Sequence, residues 1–178
     1  MLHVKPIVYE QVNDTTQLKA ELFLQQQCQL HYGDKITPER YEELFFRLKQ
    51  EMQRTDHRLL LALNEDHEVV GCITLSRYDN RIASLKERYD QGKVAEVSRC
   101  YVHERYRRRG IGAQLFEQAC SFAKAKKYAM LYLHTHYFLP GGFSFWRAMG
   151  FEITVDEGGS WQTVHMERLV EDEALRYA

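Results

Sequence analysis

One segment carries the strongest chemical signal in the chain. It consists of Arg107, Arg108, Arg109, Gly110, Ile111, Gly112 and Ala113. It follows a predicted strand, Val94–Val102, and opens a predicted amphipathic helix. A helix N-terminus presents unpaired backbone N–H groups and partial positive charge, and glycine removes the side chain that would keep an anion away from them. The segment therefore predicts a binding site for a phosphate or pyrophosphate group.

The spacing separates this turn from other phosphate-binding motifs. Gly-x-x-x-x-Gly-Lys-Ser/Thr and Gly-x-Gly-x-x-Gly are both absent, which excludes a P-loop and a dinucleotide fingerprint. The pattern is Arg-x-x-Gly-x-Gly after a strand. Four arginines, Arg105 and the three of the turn, lie in or just before it. Alternatively, the glycines only permit a tight turn and the arginines are solvated. The phosphate interpretation is favoured because the preceding strand, the following helix and the next strand all fit it.

With its flanking elements, the turn resembles the GNAT superfamily of acyl-CoA-dependent N-acyltransferases. Glu96–Ala113 is similar to the family's fourth strand, phosphate turn and third helix, and Arg147–Phe151 is similar to its closing helix and Gly-Phe element. The resemblance covers residues 94–155, the expected cofactor-binding core. Residues 1–93 match only in the order of elements.

The resemblance implies acetyl-CoA or another acyl-CoA as co-substrate and no metal. The pyrophosphate would lie on the backbone of Arg107–Ala113. Amide groups of the pantetheine arm would pair, edge to edge, with the strand backbone. A family-like splay between the fourth and fifth strands would admit the arm, against Cys100, Tyr101 and Val102.

Acyl transfer to an amine needs a neutral nucleophile, whereas a lysine-type amine has a pKa of about 10.4. A positioned carboxylate removes that proton directly or through water. Glu96 is the only carboxylate within the predicted fourth strand. It matches the glutamate that serves as base in the histone-acetyltransferase branch of the family. The structural alternative is an ion pair of Glu96 with Arg99 or another basic side chain.

The leaving CoA thiolate has no obvious acid. Many family members place a tyrosine four residues before the Gly-Phe pair, but this chain has Trp146 there, which is also interpreted as a core aromatic residue. Solvent, Tyr137 or His136 are the alternatives. His134 and His136 lie on one side of a strand, but a metal site would need further ligands. Cys100 is interpreted as a packing residue rather than a nucleophile.

Several functions stay open at this point. The leading one is an N-acetyltransferase with a small-molecule or peptide amine as acceptor. Glu96-x-Ser98-Arg99 is similar to a motif of autoinducer synthases, so longer acyl chains or an acyl-carrier protein are an alternative. Trp146 suggests a domain that binds CoA without catalysis. A nucleic-acid module built on residues 104–110 lacks supporting signatures, so no nucleic-acid partner is expected.

The elements that must position these residues follow the order β-α-α-β-β-β-α-β-α-β-β. We predict one α+β domain over residues 1–178. The resemblance implies a mixed, mostly antiparallel sheet of six or seven strands with about four helices. Thr37-Pro38 predicts a helix start, and residues 79–93 predict a loop or a short exposed helix. We expect Asp14, Thr15 and Thr16 to supply the cap of the first helix.

Composition and charge agree with this interpretation. Apolar types make up 44% of the 178 residues, and four cysteines lie far apart, which is typical of a globular protein in a reducing compartment. We therefore expect a cytoplasmic protein without a membrane span. Many relatives dimerise, so a homodimer is a further expectation. Residues 96–127 carry a formal charge of +5 within a total of −1, which suits a polyanionic cofactor and leaves an acidic remainder of −6.

Overall fold

The computed structural model describes residues 5–89 and 93–171. These residues form seven strands and four α-helices in the predicted order: β1 Val8–Gln11, α1 Gln17–Tyr32, α2 Pro38–Glu51, β2 His57–Leu63, β3 Val69–Arg77, β4 Val94–Val102, α3 Ile111–Ala125, β5 Met130–His136, α4 Gly142–Ala148, β6 Glu152–Gly158 and β7 Thr163–Leu169. Short 3-10 turns lie at Gly33–Lys35, Ala83–Leu85 and Glu104–Tyr106. The predicted loop at 79–93 thus contains one such turn, and residues 90–92 lie outside the described part.

The seven strands form one mixed sheet in the order β1-β2-β3-β4-β5-β7-β6. β4 and β5 are parallel because α3 connects them as a crossover, whereas β5 with β7 and β6 with β7 are antiparallel. The α+β class and the mixed sheet predicted from the sequence are confirmed.

The two N-terminal helices begin for different reasons. Thr37 caps α2, since its side chain accepts a hydrogen bond from the Arg40 N–H at 3.2 Å, and Pro38 occupies the first helical position. At α1 the prediction was wrong. Thr16 makes no side-chain cap, and the side chain of Asn13 instead accepts from the Thr15 and Thr16 N–H groups at 2.9 and 3.1 Å. An Asx turn at Asn13, three residues before Thr16, therefore leads into this helix.

Contacts along the chain divide it into two compact units. The first unit comprises Met1–Thr74 and Arg99–Ala119, and the second unit comprises Leu75–Ser98 and Cys120–Ala178. The first unit has a core built by α1, α2, β2 and β3: Ala20, Phe23, Leu24, Leu48, Leu59, Leu61, Leu63 and Cys72. The second unit has a buried cluster of Tyr78, Leu85, Val94 and Tyr132. The single domain expected from the sequence stays a prediction.

Candidate active site

The turn before α3 lies in the first unit and has the predicted strand–turn–helix form. Arg108 and Gly110 both adopt left-handed backbone conformations, with φ of +61° and +76°. The N–H of Gln114 donates to the Gly110 carbonyl at 3.0 Å. The N–H groups of Ile111, Gly112 and Ala113 precede that bond and lie at the positive end of the helix dipole. The backbone here is suited to hold an anion.

A glycine on β3 lets the start of α3 come close to the sheet. A Cβ added at Gly71 would lie 3.2 Å from the Ile111 side chain, 3.3 Å from the Leu115 side chain and 3.3 Å from the Tyr101 carbonyl oxygen. These distances are too short for a methyl group to fit without displacement. Gly71 therefore helps to position the turn, although nothing in the sequence pattern singled it out.

The arginines of the turn are exposed, and two of them make local contacts. The Arg109 guanidinium lies 5.0 Å from the centre of the Tyr106 ring, and Arg107 Nε donates to the Val102 carbonyl at 3.3 Å. The Tyr106 hydroxyl accepts from the buried Asn64 amide at 3.2 Å. These contacts fix the turn to the β2–β3 hairpin and leave positive charge facing solvent.

β4 changes character halfway along its length. Its first four residues are buried and the next five are partly exposed. The parallel ladder with β5 pairs Val94–Glu96 with Met130–Tyr132, although β4 continues to Val102. Arg99 interrupts the extended conformation with a φ of +49°. The ladder thus ends at Glu96, as expected for strands that splay apart.

The predicted pantetheine residues, Cys100, Tyr101 and Val102, follow that interruption. Directly after them, the His103 N–H donates to the Val70 carbonyl at 2.8 Å, so β3 lies along one edge of this segment. Burial raises the pKa of the Cys100 thiol to about 12. A thiol with so high a pKa is a poor nucleophile at neutral pH, which supports its interpretation as a packing residue.

Glu96 lies in the second unit and is buried, with 5% of its side chain exposed. Arg81 donates to both of its carboxylate oxygens, at 2.6 and 2.7 Å. The pKa of Arg81 is raised, first by this hydrogen bonding with Glu96. The ion pair that the sequence left as an alternative therefore exists, with Arg81 rather than Arg99 as the partner. Arg99 instead donates to Glu51 at 2.9 Å within the first unit.

A group of polar side chains on β5 and β7 begins next to this carboxylate. His134 Nδ1 lies 3.9 Å from Glu96 Oε2 and 3.4 Å from the Tyr132 hydroxyl. The same hydroxyl lies 2.7 Å from His165 Nδ1. His134 and His165 are direct partners in the antiparallel register of β5 and β7. The pKa of His134 is lowered to about 4, mainly by burial and against the attraction of Glu96, so its ring is neutral at pH 7.

Trp146 and the two residues considered as acids, His136 and Tyr137, all have structural contacts. Trp146 is buried and packs edge-on against Phe145 and Phe151, as expected of a core aromatic residue. His136 Nδ1 lies 2.9 Å from the Trp161 carbonyl oxygen. The Tyr137 hydroxyl donates to Asp156 at 2.8 Å.

Sequence reasoning singled out Glu96 and His134 but missed three of their neighbours. Arg81 comes from a polar loop, and Tyr132 and His165 come from strands whose pairing no local pattern reveals. A buried carboxylate does signal a cationic partner, but the sequence offers many arginines for that role. Among residues 5–89 and 93–171, no three His, Cys, Asp or Glu side chains form a metal-binding group. No described helix combines the length and hydropathy needed to cross a membrane.

The fold and the turn define the class: an α+β protein with a mixed sheet, one parallel strand pair and a glycine-containing strand–turn–helix. The chain belongs to the acetyltransferase (GNAT) family, because the model of that family matches residues 24–151. It is therefore an acyltransferase by family. Comparison with the sequences of curated proteins finds no match.

Solved structures share this fold. An acetyltransferase of the GNAT family from Staphylococcus aureus Mu50 aligns with a TM-score of 0.74 and 17% identity, over 93% of this chain and 100% of that one. The PaiA N-acetyltransferase from Thermoplasma acidophilum, crystallised with coenzyme A, aligns with a TM-score of 0.69 and 21% identity, over 92% and 99% of the two chains. An acetyltransferase from Streptococcus agalactiae aligns with a TM-score of 0.67 and 20% identity, over 92% and 98%.

Proposed function

We propose that the protein transfers the acetyl group of acetyl-CoA to a primary amine by direct attack of the amine on the thioester. The observation that carries the proposal is the strand–turn–helix at Arg107–Ala113 in a chain of the GNAT family. A neighbour with the same fold was crystallised with coenzyme A, which supports the choice of cofactor. The acceptor is a small-molecule or peptide amine, and neither a nucleic acid nor a membrane is a proposed partner.

The cofactor would be held by backbone groups and by charge. The N–H groups at the start of α3 would bind the pyrophosphate, and the exposed arginines Arg107, Arg108 and Arg109 would neutralise it. The partly exposed backbone of Cys100, Tyr101 and Val102 would pair with the pantetheine arm.

The proton of the acceptor ammonium has two candidate receivers. Glu96 is the general base that the sequence predicts. Both of its oxygens accept hydrogen bonds from Arg81, so an acceptor ammonium would compete with that guanidinium for the carboxylate. This observation favours His134 as a second candidate, since its ring is neutral at pH 7 and lies beside the carboxylate. In that case Glu96 contributes negative charge that stabilises the protonated imidazole.

The thiolate of coenzyme A is proposed to leave with solvent as its acid. Trp146 stands where many family members have a tyrosine, and an indole N–H is not a useful acid. An unperturbed thiol has a pKa of about 8.5, so a thiolate is an acceptable leaving group without a dedicated donor. We also propose a cytoplasmic location and a homodimer, and the oligomeric state is measurable by light scattering.

The test is an acetylation assay with a panel of amines: polyamines, amino acids, aminoglycosides and peptides with free N-termini or lysines. Release of free thiol from acetyl-CoA reports turnover, and mass spectrometry locates the acetyl group on nitrogen. Long-chain acyl-CoA and an acetyl-acyl-carrier protein are run in parallel, because greater activity with either would favour the alternative substrate. Binding of coenzyme A without turnover on any amine would favour a non-catalytic domain.

A matched pair of charge reversals tests the cofactor site. Arg108→Glu places a negative charge on the turn, and Lys127→Glu makes the same change beyond the far end of α3, about 22 Å away for a helix of this length. We expect coenzyme A to bind about tenfold more weakly to the first variant, since one charge-assisted contact of about 1.4 kcal/mol is lost. Equal affinities of the two variants would contradict this placement of the pyrophosphate.

A further inference from the structure

Four polar side chains form a continuous series across β5, β7 and β6. Glu157 Oε2 lies 3.3 Å from His165 Nε2, and His165 Nδ1 lies 2.7 Å from the Tyr132 hydroxyl. That hydroxyl lies 3.4 Å from His134 Nδ1. We call Glu157, His165, Tyr132 and His134 the polar series. All four residues belong to the second unit.

The two ends of the polar series are accessible and its middle is buried. The side chain of Glu157 is 42% exposed and that of His134 is 34% exposed, whereas His165 and Tyr132 are almost fully inaccessible. Since Nδ1 of His134 faces Tyr132 and Glu96, Nε2 is the ring nitrogen left to bind a group from outside the series. Within residues 5–89 and 93–171, no group is hydrogen-bonded to that nitrogen.

The direction of each hydrogen bond follows from the surface carboxylate. The pKa of Glu157 is lowered, first by a hydrogen bond from Ser84 and also by His165, so Glu157 is ionised and only accepts. Ser84 Oγ, 3.5 Å from His165 Nε2, gives its own proton to Glu157, so His165 carries its proton on Nε2 and its Nδ1 accepts from the Tyr132 hydroxyl. The Tyr132 oxygen then accepts from His134, whose proton lies on Nδ1. Burial raises the pKa of Tyr132, so it stays a neutral hydroxyl.

We propose that Glu157, through His165 and Tyr132, holds His134 as the Nδ1–H tautomer, so that its Nε2 lone pair receives the proton of the acceptor amine. Glu96 supports the same tautomer, because its carboxylate lies 3.9 Å from Nδ1. Arg81 and His136 also face this group and oppose its protonation by charge. Tyr132, His165 and Glu157 are positioning residues. The inference rests on the proposed acetyl transfer for its chemical use, but the tautomer itself does not depend on it.

The proton steps balance at His134. The ammonium gives one proton to His134 Nε2, while Nδ1–H stays bonded to the Tyr132 oxygen and the Glu96 carboxylate stabilises the imidazolium by its charge. The neutral amine then attacks the thioester carbon. The C–S bond breaks and the thiolate takes up a proton from solvent. The nitrogen gives its second proton to solvent, so the proton count balances. After acetyl transfer the imidazolium releases its Nε2 proton to water, which restores the Nδ1–H tautomer.

Nitrogen NMR of the imidazole rings tests the tautomers directly. In protein labelled with ¹⁵N histidine at pH 7.5, long-range proton–nitrogen spectra separate protonated from unprotonated ring nitrogens. Assignment uses the His134→Gln and His165→Gln variants. We expect His134 protonated on Nδ1 alone and His165 on Nε2 alone. His134 protonated on Nε2, or His165 protonated on both nitrogens, would overturn the proposal.

Two variants with a matched control test the coupling. Tyr132→Phe and Glu157→Ala are expected to shift His134 toward the Nε2–H form, whereas Tyr89→Phe keeps it on Nδ1. Tyr89 is a suitable control because it packs against the Tyr132 ring but donates to Glu167. An unchanged His134 tautomer in both Tyr132→Phe and Glu157→Ala would refute the positioning role, even if Tyr132→Phe also lowered stability.

Kinetics with an identified amine give the second readout. We expect His134→Gln to lower kcat by on the order of 100-fold and Tyr132→Phe by on the order of 10-fold, with the KM for acetyl-CoA unchanged. Full activity of His134→Gln would remove His134 from the reaction. If no amine is acetylated, the proposed function fails, while the NMR result still decides the tautomer.

Discussion

The ion pair between Arg81 and Glu96 provides a quantitative test of how the site is built. Replacing Arg81 by Met removes its two hydrogen bonds to Glu96, at 2.6 and 2.7 Å, and a third to Asp79 at 2.9 Å. It leaves the Glu96 carboxylate, which is 5% exposed, without its cation. Breaking a fully buried pair costs about 3–5 kcal/mol. The Arg81 side chain is 34% exposed, so water takes up part of that cost, and we expect a loss of about 2 kcal/mol.

The assay is thermal and urea unfolding at pH 7. A loss of about 2 kcal/mol lowers the Tm by about 4–8 °C for a chain of this size. The double variant Arg81→Met/Glu96→Gln removes the unpaired charge and is expected to recover at least half of the loss. Arg40→Met is the control, because it breaks an exposed ion pair with Glu43 and has little effect. A loss below about 0.5 kcal/mol for Arg81→Met would refute the reasoning.

Three further changes test the fold around the site. Burial lowers the pKa of His57 to about 4. Below about pH 6.5 the unfolded state therefore binds a proton that the native imidazole does not bind. We therefore expect the wild type to lose about 2 kcal/mol more stability than His57→Gln when the pH falls from 7 to 5, measured by urea unfolding. An equal loss in the two proteins would contradict this. Thr37→Ala removes the cap of α2 and is expected to cost about 1 kcal/mol in the same assay, whereas Thr37→Ser should cost little and so serves as its control. Gly71→Ala introduces a methyl group 3.2 Å from Ile111 and is expected to destabilise the protein by about 1–3 kcal/mol and to weaken coenzyme A binding in calorimetry. Wild-type affinity would show that the turn does not depend on this close packing.

Local patterns predicted the elements well but missed details set by single side chains. The period of the apolar residues and the Thr37-Pro38 start correctly indicated α2, and the Arg-x-x-Gly-x-Gly turn correctly indicated the start of α3. The start of α1 was assigned to the wrong side chain, because Asn13 and Thr16 are both good cap residues and only the backbone decides between them. Gly71 could not be recognised, since its importance depends on a helix that packs against it from 40 residues downstream.

By itself, the sequence determined the order of the elements, the α+β class and the place of the glycine turn before α3. These properties depend on neighbouring residues, whose period and capping are visible along the chain. The tertiary structure decided which charges meet. Arg81, not Arg99, pairs with Glu96, and the register of β5 and β7 brings His134 opposite His165. These two contacts join residues that are 15 and 31 positions apart, and long-range packing alone selects among the many possible partners.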